Sequence, residues 1–309
     1  MAMSDRVFPD LSEFRLQDLF LVTQNNRESI QWAMDNGLIK NQRICENGRC
    51  VGANAMRLEE TDKTDGLVWR CSAGRICRKK ISIRKDSFFE NSHLPVSKIL
   101  QLAYLWSFEL DKQDFLMREL QIASVNTILD WKQFCRDICH EWFLLHPVVI
   151  GGPGHTVEID ESCFVGRCRL VGEQWVFGGY DVRTKESFMV AVDRRNASTL
   201  LPVLQQFVLP GTTAVSDLWA KYKVDENVEY RHLTVNHSVN FVDPATYATT
   251  NRAKCIWQKA KEKNKRRFGT RRTTLDNFLA EFLWRQQFQR DAFKNFISQV
   301  RRVYPDAAN

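Results

Sequence analysis

Two aspartates follow apolar runs in the second half of the chain and could bind metal ions together. Asp160 follows the run in HTVEIDESCFVG, and Asp217 follows the run in TTAVSDLWAKY. Each pattern predicts a strand, so both acids are expected at strand ends. Two such carboxylates, completed by a third on a following helix, can bind two Mg²⁺ ions about 3.5–4 Å apart for phosphodiester cleavage. The third position, in TNRAKCIWQKAK, carries Lys254 instead.

Four cysteines form a second candidate metal site. Four residues separate Cys45 from Cys50, five separate Cys71 from Cys77, and twenty lie between the pairs. Four thiolates suit tetrahedral structural zinc and need no catalytic group. The spacing is wider than the usual two-residue knuckle, and ordinary buried cysteines are the alternative. Zinc is favoured because the segment has too few aliphatic residues to form its own core.

The composition predicts an intracellular globular protein. The 309 residues are 44% hydrophobic, include 20 Phe and 9 Trp, and contain no run of the roughly 20 apolar residues that would span a membrane. The start, MAMSDRVFPDLSEF, lacks the pattern of a secretory signal. Nine cysteines then favour free thiols and metal ligands over disulfides. Outside the zinc candidates, Cys135 and Cys139 are interpreted as core residues, and Cys163 and Cys168 as strand or loop thiols.

The net charge of +7 is concentrated near the C-terminus. The segment 252–272 contains ten Lys or Arg residues and one acid, Glu262. Such a run suits a polyanion, although a solvated helix face can carry the same charges. We interpret the segment as binding the phosphates of double-stranded DNA, through Arg252, Lys259, Lys261, Lys263, Lys265, Arg266 and Arg267.

The sequence pattern predicts five segments. Residues 1–40 are expected to form N-terminal helices, the second of them capped by Thr23 and stopped by Gly37. A zinc-ribbon-like module at 41–92 and a helical segment at 93–150 follow. A large domain at 151–300 starts at the GGPG break and leaves a tail at 301–309.

The helical segment contains two helices joined at LQIAS, within residues 113–143. This arrangement resembles a helix-turn-helix, which would place Asn126, Thr127 and Lys132 near a DNA groove. A packed helical linker is an equal alternative.

The large domain alternates between strand and helix patterns. HTVEID, QWVFGGYDV and SFMVAVD are predicted as consecutive antiparallel strands, followed by a helix at 200–208. TTAVSD and YRHLTVNHS then predict two more strands, and the tail from about residue 252 to 300 is mostly helical. This order predicts an α/β fold of ribonuclease H type, a mixed sheet with flanking helices.

Several motifs, in this order, carry a resemblance to a known family. VEIDES, WVFGGYD, VDRRNASTLLP, SDLWAKY, YRHLTVNHSVNFVDP and TNRAKCIWQKAK follow one another in the large domain, and WRC and SIRKDSFFENSHL precede them near the cysteines. Together, from about residue 29 to 288, they resemble the transposases of Merlin-type DNA transposons and their bacterial insertion-sequence relatives.

The resemblance implies an Asp-Asp-Glu triad that cuts and rejoins DNA with Mg²⁺ or Mn²⁺. Asp160 matches the first acid, Asp217 the second, and His237 a motif that supports the active site. The family's glutamate lies three residues before a tryptophan, and counting back from Trp257 gives Lys254. The 36 residues between Asp217 and Lys254 are the expected spacing.

A lysine at this position removes a metal ligand and adds a positive charge. At about 5 Å and an effective dielectric constant of 20, its repulsion from a divalent ion would reach about 6–7 kcal/mol. Glu262 lies about two helical turns further on, which we expect to be too far for easy rescue. The sequence therefore favours a degenerate or domesticated transposase with impaired cleavage.

Three interpretations follow from the sequence. The leading one is a transposase-derived, zinc-containing protein that binds DNA but has lost or reduced cleavage. An active Mg²⁺-dependent transposase and a non-catalytic scaffold are the alternatives. A nuclear location is inferred only from DNA binding, and homodimer formation is left open.

Overall fold

The computed structural model describes residues 6–47, 50, 55–73, 77–164, 173–217, 230–235, 242–244, 246–267 and 269–308. The chain divides into two compact units, one formed by residues 1–138 with 288–309 and the other by residues 139–287. Within the ranges described, every helix is too short or too polar to cross a membrane.

The first unit contains helices and a small antiparallel sheet. Its strands pair in the order β1-β2-β3, and an isolated bridge between Ile44 and Ala55 extends the pairing toward the N-terminal side. The elements are α1 (Leu16–Val22), α2 (Asn26–Asp35), β1 (Met56–Glu60), β2 (Leu67–Cys71), β3 (Lys80–Ser82), α3 (Val96–Ser107), α4 (Gln113–Glu119) and α5 (Val125–Leu145), the last of which continues into the second unit.

The start of α2 differs from the sequence prediction. Asn25, not Thr23, is the N-cap, and its side chain accepts a hydrogen bond from the backbone N–H of Glu28. Thr23 instead ends α1, where its hydroxyl donates to the carbonyl of Leu19. Both residue types can cap a helix. In the short connection between α1 and α2, Asn25 is the residue with the extended backbone geometry of an N-cap. The predicted stop at Gly37 is confirmed by its left-handed φ of 67° directly after α2.

The second unit is a mixed α/β domain. Its main sheet has five strands in the order β10-β9-β5-β6-β7. The elements are β4 (Ile150–Gly151), β5 (Thr156–Cys163), β6 (Trp175–Asp181), β7 (Ser187–Val192), α6 (Ala197–Phe207), β8 (Val208–Leu209), β9 (Thr213–Asp217), β10 (Arg231–Val235), α7 (Asn251–Arg266) and α8 (Leu275–Phe288).

The antiparallel directions predicted for the first three strands and the predicted mixed sheet are confirmed. β5, β6 and β7 are antiparallel neighbours, whereas β9 pairs parallel to β5, and β10 pairs parallel to β9. The helix predicted at 200–208 is α6, which begins three residues earlier than expected. The Asn196 side chain accepts a hydrogen bond from the backbone N–H of Thr199 and so caps α6.

The central strand β5 separates two apolar layers. Val157 and Ile159 pack with Leu200 and Leu204 of α6 on one face of the sheet. On the other face, Trp257 of α7 belongs to a cluster with residues of β6, β7 and α8. Because side chains alternate along a strand, Glu158 and Asp160 point to the opposite face from Val157 and Ile159, toward α7.

Two further helices, α9 (Ala292–Val303) and α10 (Pro305–Ala308), complete the first unit. α9 has one strongly apolar side, whose Phe293 stacks on Phe14 and Trp32 while Phe296 contacts Phe88 and Trp106. These aromatic contacts connect the C-terminal helices to the N-terminal ones within a single core.

Candidate functional site

The two aspartates predicted to act together lie on adjacent parallel strands. Glu158 of β5 pairs in register with Val215 of β9, and two residues further along each strand come Asp160 and Asp217. Both acids also line a small cavity of about 10 Å³. The geometry therefore places the two carboxylates beside each other.

The position of Asp160 within its strand corrects the sequence expectation. Asp217 is the last residue of β9, as expected, but β5 continues for three residues beyond Asp160. The continuation is due to β6, which pairs with β5 as far as Cys163 and Trp175. The apolar run marks the buried part of the strand, whereas backbone pairing fixes its length.

Lys254 extends from α7 toward the two acids. Its Nζ donates to Oδ2 of Asp217 at 3.1 Å, and the two side chains are 38% and 33% exposed. We refer to Asp160, Asp217 and Lys254 as the acid–lysine site. The lysine therefore serves as an internal counter-ion for one of the carboxylates.

Asp160 has an unusual protonation equilibrium. Burial raises the pKa of its carboxyl from 3.8 to about 6, and the charges of Glu161 and Asp217 act in the same direction. The Lys254 ammonium and a hydrogen bond from the backbone N–H of Glu161 oppose this rise in pKa without cancelling it. Burial thus outweighs the lysine in setting the charge of Asp160.

The side chains of the acid–lysine site do not match the requirements of two Mg²⁺ ions. Magnesium takes hard oxygen ligands, and two such ions need several negative charges around them. Here one oxygen of Asp217 already accepts from an ammonium, and Asp160 ionises only near pH 6. The site offers two acids and a cation where a two-metal centre would need three acids.

Glu158 positions α7 and was missed by the sequence analysis. Its carboxylate is fully buried and accepts the backbone N–H groups of Arg252 and Ala253 at 2.8 and 3.0 Å. Thr250, the N-cap of α7, makes no side-chain capping bond, so Glu158 takes over that role from the neighbouring strand. The sequence did contain a signal for this role. Glu158 is an acid inside an apolar strand, and because it lies two residues before Asp160 it is on the same face of the sheet.

Gly178 allows α7 to approach the sheet. It pairs with Asp160 across β5 and β6. A Cβ atom at this position would lie 2.5 Å from the carbonyl oxygen of Phe188 and 3.1 Å from the indole of Trp257. The close packing of Trp257 over a glycine holds the first turns of α7, and Lys254 with them, near Asp160.

A cleft of about 540 Å³ extends from the acid–lysine site along α7. β5 contributes Asp160 and Ser162 to its wall. The α7 side chains in the lining share one face of the helix and are Lys254, Trp257, Gln258, Lys261, Glu262 and Lys265. The cleft thus joins the acids to part of the predicted basic segment.

The seven cations predicted to bind DNA occupy different environments. Arg252 pairs with the buried Glu158, and Arg266 pairs with Glu262. Lys263 and Arg267 both pair with Glu281 of α8, whose side chain is 6% exposed and also accepts from Arg285. The remaining three, Lys259, Lys261 and Lys265, are exposed.

The four predicted zinc ligands come together in the first unit. Their sulfur atoms all lie within 4.8 Å of one another. The separations are 3.8 Å for Cys45–Cys77, 3.7 Å for Cys50–Cys45 and 3.5 Å for Cys50–Cys71. A tetrahedral site with zinc–sulfur bonds of about 2.3 Å places its sulfurs about 3.8 Å apart. We refer to these four residues as the cysteine cluster, and their geometry fits a single zinc ion.

The thiol protonation equilibria also fit a cation. A hydrogen bond from the backbone N–H of Lys79, helped by neighbouring donors that include Asn47, lowers the pKa of Cys77 to about 6. Burial, followed by hydrogen bonds with the other three sulfurs, raises the pKa of Cys50 to about 12. One thiolate therefore forms readily, whereas four adjacent thiolates require a bound positive charge.

The other sequence candidates have varied outcomes. Cys135 and Cys139 are fully buried in α5, which confirms their interpretation as core residues. Cys163 is half-buried on β5. His237, the predicted supporting residue, and Cys168 lie outside the described residues.

The predicted helix-turn-helix corresponds to α4, α5 and the five residues between them. Asn126 is exposed and Thr127 is half-buried. Lys132 is bound to Asp111, whose carboxylate and backbone carbonyl accept from its ammonium. Whether this segment reads a DNA groove stays a prediction.

One comparison with known proteins is located in the second unit, and two others match parts of the chain. Residues 154–287 match the model of the ISXO2-like transposase domain, a range that contains the whole acid–lysine site. An uncharacterized transposase-like protein of Haemophilus influenzae is 27% identical over 116 residues, which cover 38% of this chain and 91% of that protein.

Among solved structures, a cryo-EM structure of the simian T-cell lymphotropic virus intasome in complex with PP2A regulatory subunit B56 gamma matches with 17% identity. The match has a TM-score of 0.31 and covers 60% of this chain and 67% of that chain, so no conclusion about the fold follows from it. The domain match and the Haemophilus relative together confirm the predicted resemblance to insertion-sequence transposases. Through its domain at residues 154–287, the chain is similar to the insertion-sequence-like transposase family.

Proposed function

We propose that this protein is a transposase-derived DNA-binding protein that has lost metal-dependent strand cleavage. The observation that carries the proposal is the 3.1 Å contact between Nζ of Lys254 and Oδ2 of Asp217. An ammonium in contact with one of the two acids supplies, from within the chain, the positive charge that a metal ion would otherwise bring.

A metal ion bound by both acids would have to displace this contact. If the ammonium stayed about 5 Å from a divalent ion, the repulsion would be about 6–7 kcal/mol at an effective dielectric constant of 20. Moving the lysine out into solvent would relieve that repulsion but would still leave two carboxylates in place of three. Loss of tight Mg²⁺ or Mn²⁺ binding is therefore the expected result.

The sheet supports a ribonuclease H-like assignment for the second unit. Three antiparallel strands are followed by a helix and by two strands that run parallel to the first, with the two aspartates on adjacent strands. α7 then returns across the face of the sheet that carries Asp160. This is the order that the sequence pattern predicted for such a fold.

The cysteine cluster supports a structural zinc ion in a zinc-ribbon-like module. Cys71 ends β2 and Cys77 lies shortly before β3, so an ion held by the four sulfurs would connect the small sheet to the preceding loop. A site with four protein ligands leaves no open position for substrate, and zinc would there supply folding energy and no catalysis.

DNA binding is proposed from the family and from the exposed lysines of α7. Cations on a helix beside the acids could contact backbone phosphates, which provide most of the sequence-independent affinity of DNA-binding proteins. A nuclear location is proposed on the same basis, and imaging of a fluorescently tagged chain would test it. Homodimer formation also stays a proposal, which mass measurement in solution would test.

The test of lost cleavage is a nicking assay on supercoiled plasmid DNA with Mg²⁺ or Mn²⁺. The unaltered chain should leave the plasmid intact. Lys254→Glu restores the third carboxylate and should produce nicking, which Asp160→Ala should abolish in the same background. Lys259→Glu is the matched control, because it makes the same charge change on an exposed part of α7 outside the cleft.

An active nuclease is the second candidate function, and the position of Glu262 favours it. This acid lines the same cleft as Asp160, although Arg266 binds its carboxylate at 2.6 Å. If Glu262 replaced the missing ligand, the unaltered chain would nick plasmid DNA and Glu262→Gln would stop it. Nicking by the unaltered chain that disappears in Asp160→Ala would overturn the proposal of lost cleavage.

A further inference from the structure

The basic helix α7 does not present all its cations to solvent in the same way. Arg252 and Arg266 are bound to acids, and Lys263 and Arg267 share the buried Glu281. If a cation that neutralises a buried carboxylate moved to a phosphate, that carboxylate would stay buried and lose a counter-charge. The shared pairing with Glu281 therefore opposes a role for Lys263 and Arg267 in ligand binding.

Three lysines of this segment have no ion pair in the part of the chain that the structure describes: Lys259, Lys261 and Lys265. Of these three lysines, Lys261 and Lys265 line the cleft and Lys259 does not. At 3.6 residues per turn, these two lie within about 20° of Lys254 around the helix axis, whereas Lys259 lies about 140° away. Lys259 is thus directed away from the cleft, whereas Lys261 and Lys265 face it.

The cleft side of α7 forms a row of polar and positive groups. We call Lys254, Gln258, Lys261 and Lys265 the cleft face. At 1.5 Å per residue the row is about 16 Å long, which corresponds to about five nucleotide steps of 3.4 Å along one DNA strand. Lys254 also offsets one of the two negative charges at the acid end, which reduces repulsion of a phosphate chain entering the cleft.

We infer that duplex DNA lies along the cleft face and that Lys261 and Lys265 are its phosphate contacts on α7. Lys263 and Arg267 are instead structural residues that hold α7 to α8 through Glu281. This inference rests on the proposed DNA binding and divides the predicted basic segment into a binding face and a structural face.

The test compares single substitutions that remove the same charge from the same helix. Lys261→Ala, Lys265→Ala and Lys259→Ala are titrated with a fluorescein-labelled duplex between 50 and 200 mM salt. Each lost phosphate contact should reduce the slope of log affinity against log salt by about 0.9, so the affinity ratio between the two salt concentrations falls by about 3.5-fold. This loss is expected for Lys261→Ala and Lys265→Ala, with no comparable change for Lys259→Ala.

A fourth variant tests the structural face. Lys263→Met should lower the thermal unfolding temperature and leave the salt slope unchanged. Equal losses of slope for Lys259→Ala and Lys261→Ala would overturn the inference while leaving DNA binding intact. Absence of duplex binding by the unaltered chain at low salt would instead overturn the proposed function itself.

Discussion

The cysteine cluster and the acid–lysine site are two candidate metal centres that differ in how completely their ligands are present. The cysteine cluster has four sulfur atoms at separations that match a zinc tetrahedron. The acid–lysine site has two carboxylates on adjacent strands and a lysine that donates to one of them. The same chain therefore combines a candidate zinc site with four ligands and a candidate acid site whose third position carries a lysine.

On the proposed function, the structural site keeps all its ligands while the catalytic site does not. Zinc in a closed four-ligand site contributes directly to folding, so the loss of any ligand affects the whole module. In the acid–lysine site, Lys254 supplies a positive charge to Asp217 from within the chain, without a metal ion. Four predictions test this contrast.

The largest expected effect follows the loss of zinc from the cysteine cluster. Structural zinc sites bind with about 10–16 kcal/mol of apparent free energy at neutral pH, so Cys71→Ala should unfold β1 to β3. Elemental analysis should find one zinc per unaltered chain and none in the variant. Hydrogen exchange should show loss of protection in residues 56–82.

The matched control for that experiment is Cys255→Ser, which changes an exposed cysteine on α7. It should retain both the zinc and the protection of the small sheet. Full retention of zinc and protection by Cys71→Ala would show that the cluster is only a group of buried thiols.

The next effect concerns Glu158 and the start of α7. Glu158→Ala should lower the free energy of unfolding by about 3 kcal/mol, because it leaves the backbone N–H groups of Arg252 and Ala253 without their buried acceptor. Glu158→Gln keeps one acceptor oxygen and should cost about half as much. Chemical denaturation measures both.

Equal stability of Glu158→Ala and the unaltered chain would mean that water can cap α7 from the sheet side. The nicking assay gives a second readout, because a displaced α7 should also remove any activity gained by Lys254→Glu.

Much of the second unit could be predicted from sequence because its strands are marked by apolar runs of the right length. The proximity of Asp160 and Asp217 followed from the prediction that the two acids bind metal ions together, and the parallel pairing of β5 with β9 agrees with it. The length of β5 could not be predicted in the same way, since it depends on where β6 continues to pair.

The environments of charged side chains were the harder part to predict. Composition alone gave a uniformly basic segment, whereas the structure places Lys263 and Arg267 against Glu281, which lies 14 or more residues away in sequence. Likewise, nothing local shows that Glu158 caps a helix that starts more than 90 residues later. Such pairings depend on how α7 and α8 pack on the sheet.

The third prediction concerns the pH dependence of stability at Asp160. Its pKa is 3.8 when unfolded and about 6 when folded, so between these values the folded state binds a proton that the unfolded state has released. Stability therefore falls as pH rises through this window. Above it, Asp160→Asn should raise the free energy of unfolding by on the order of 2–3 kcal/mol, a gain that disappears near pH 4.

Asp217→Asn is the comparison for that experiment, since it weakens the contact with Lys254 and should not stabilise the fold. The two metal candidates should respond to pH in opposite directions, because zinc binding by thiols strengthens as pH rises. A pH-independent gain for Asp160→Asn would show that its carboxyl is not held near pKa 6.

The smallest effect is expected for the lysine itself. Lys254 and Asp217 are each about one-third exposed, and ion pairs of this kind contribute about 0–1 kcal/mol. A double-mutant cycle of Lys254→Met and Asp217→Asn should therefore give a coupling energy below about 1 kcal/mol. Lys254→Met should also raise the pKa of Asp160 further, because the ammonium is the main charge that opposes the effect of burial.

A coupling energy well above 2 kcal/mol would instead make the pair a determinant of the fold. A small value bears on the proposed loss of cleavage. If the lysine contributes little to stability, the fold accepts either a lysine or a glutamate at residue 254. On the proposed function, a single substitution at residue 254 could then supply the third acid while α7, Glu158 and the two aspartates stay in place.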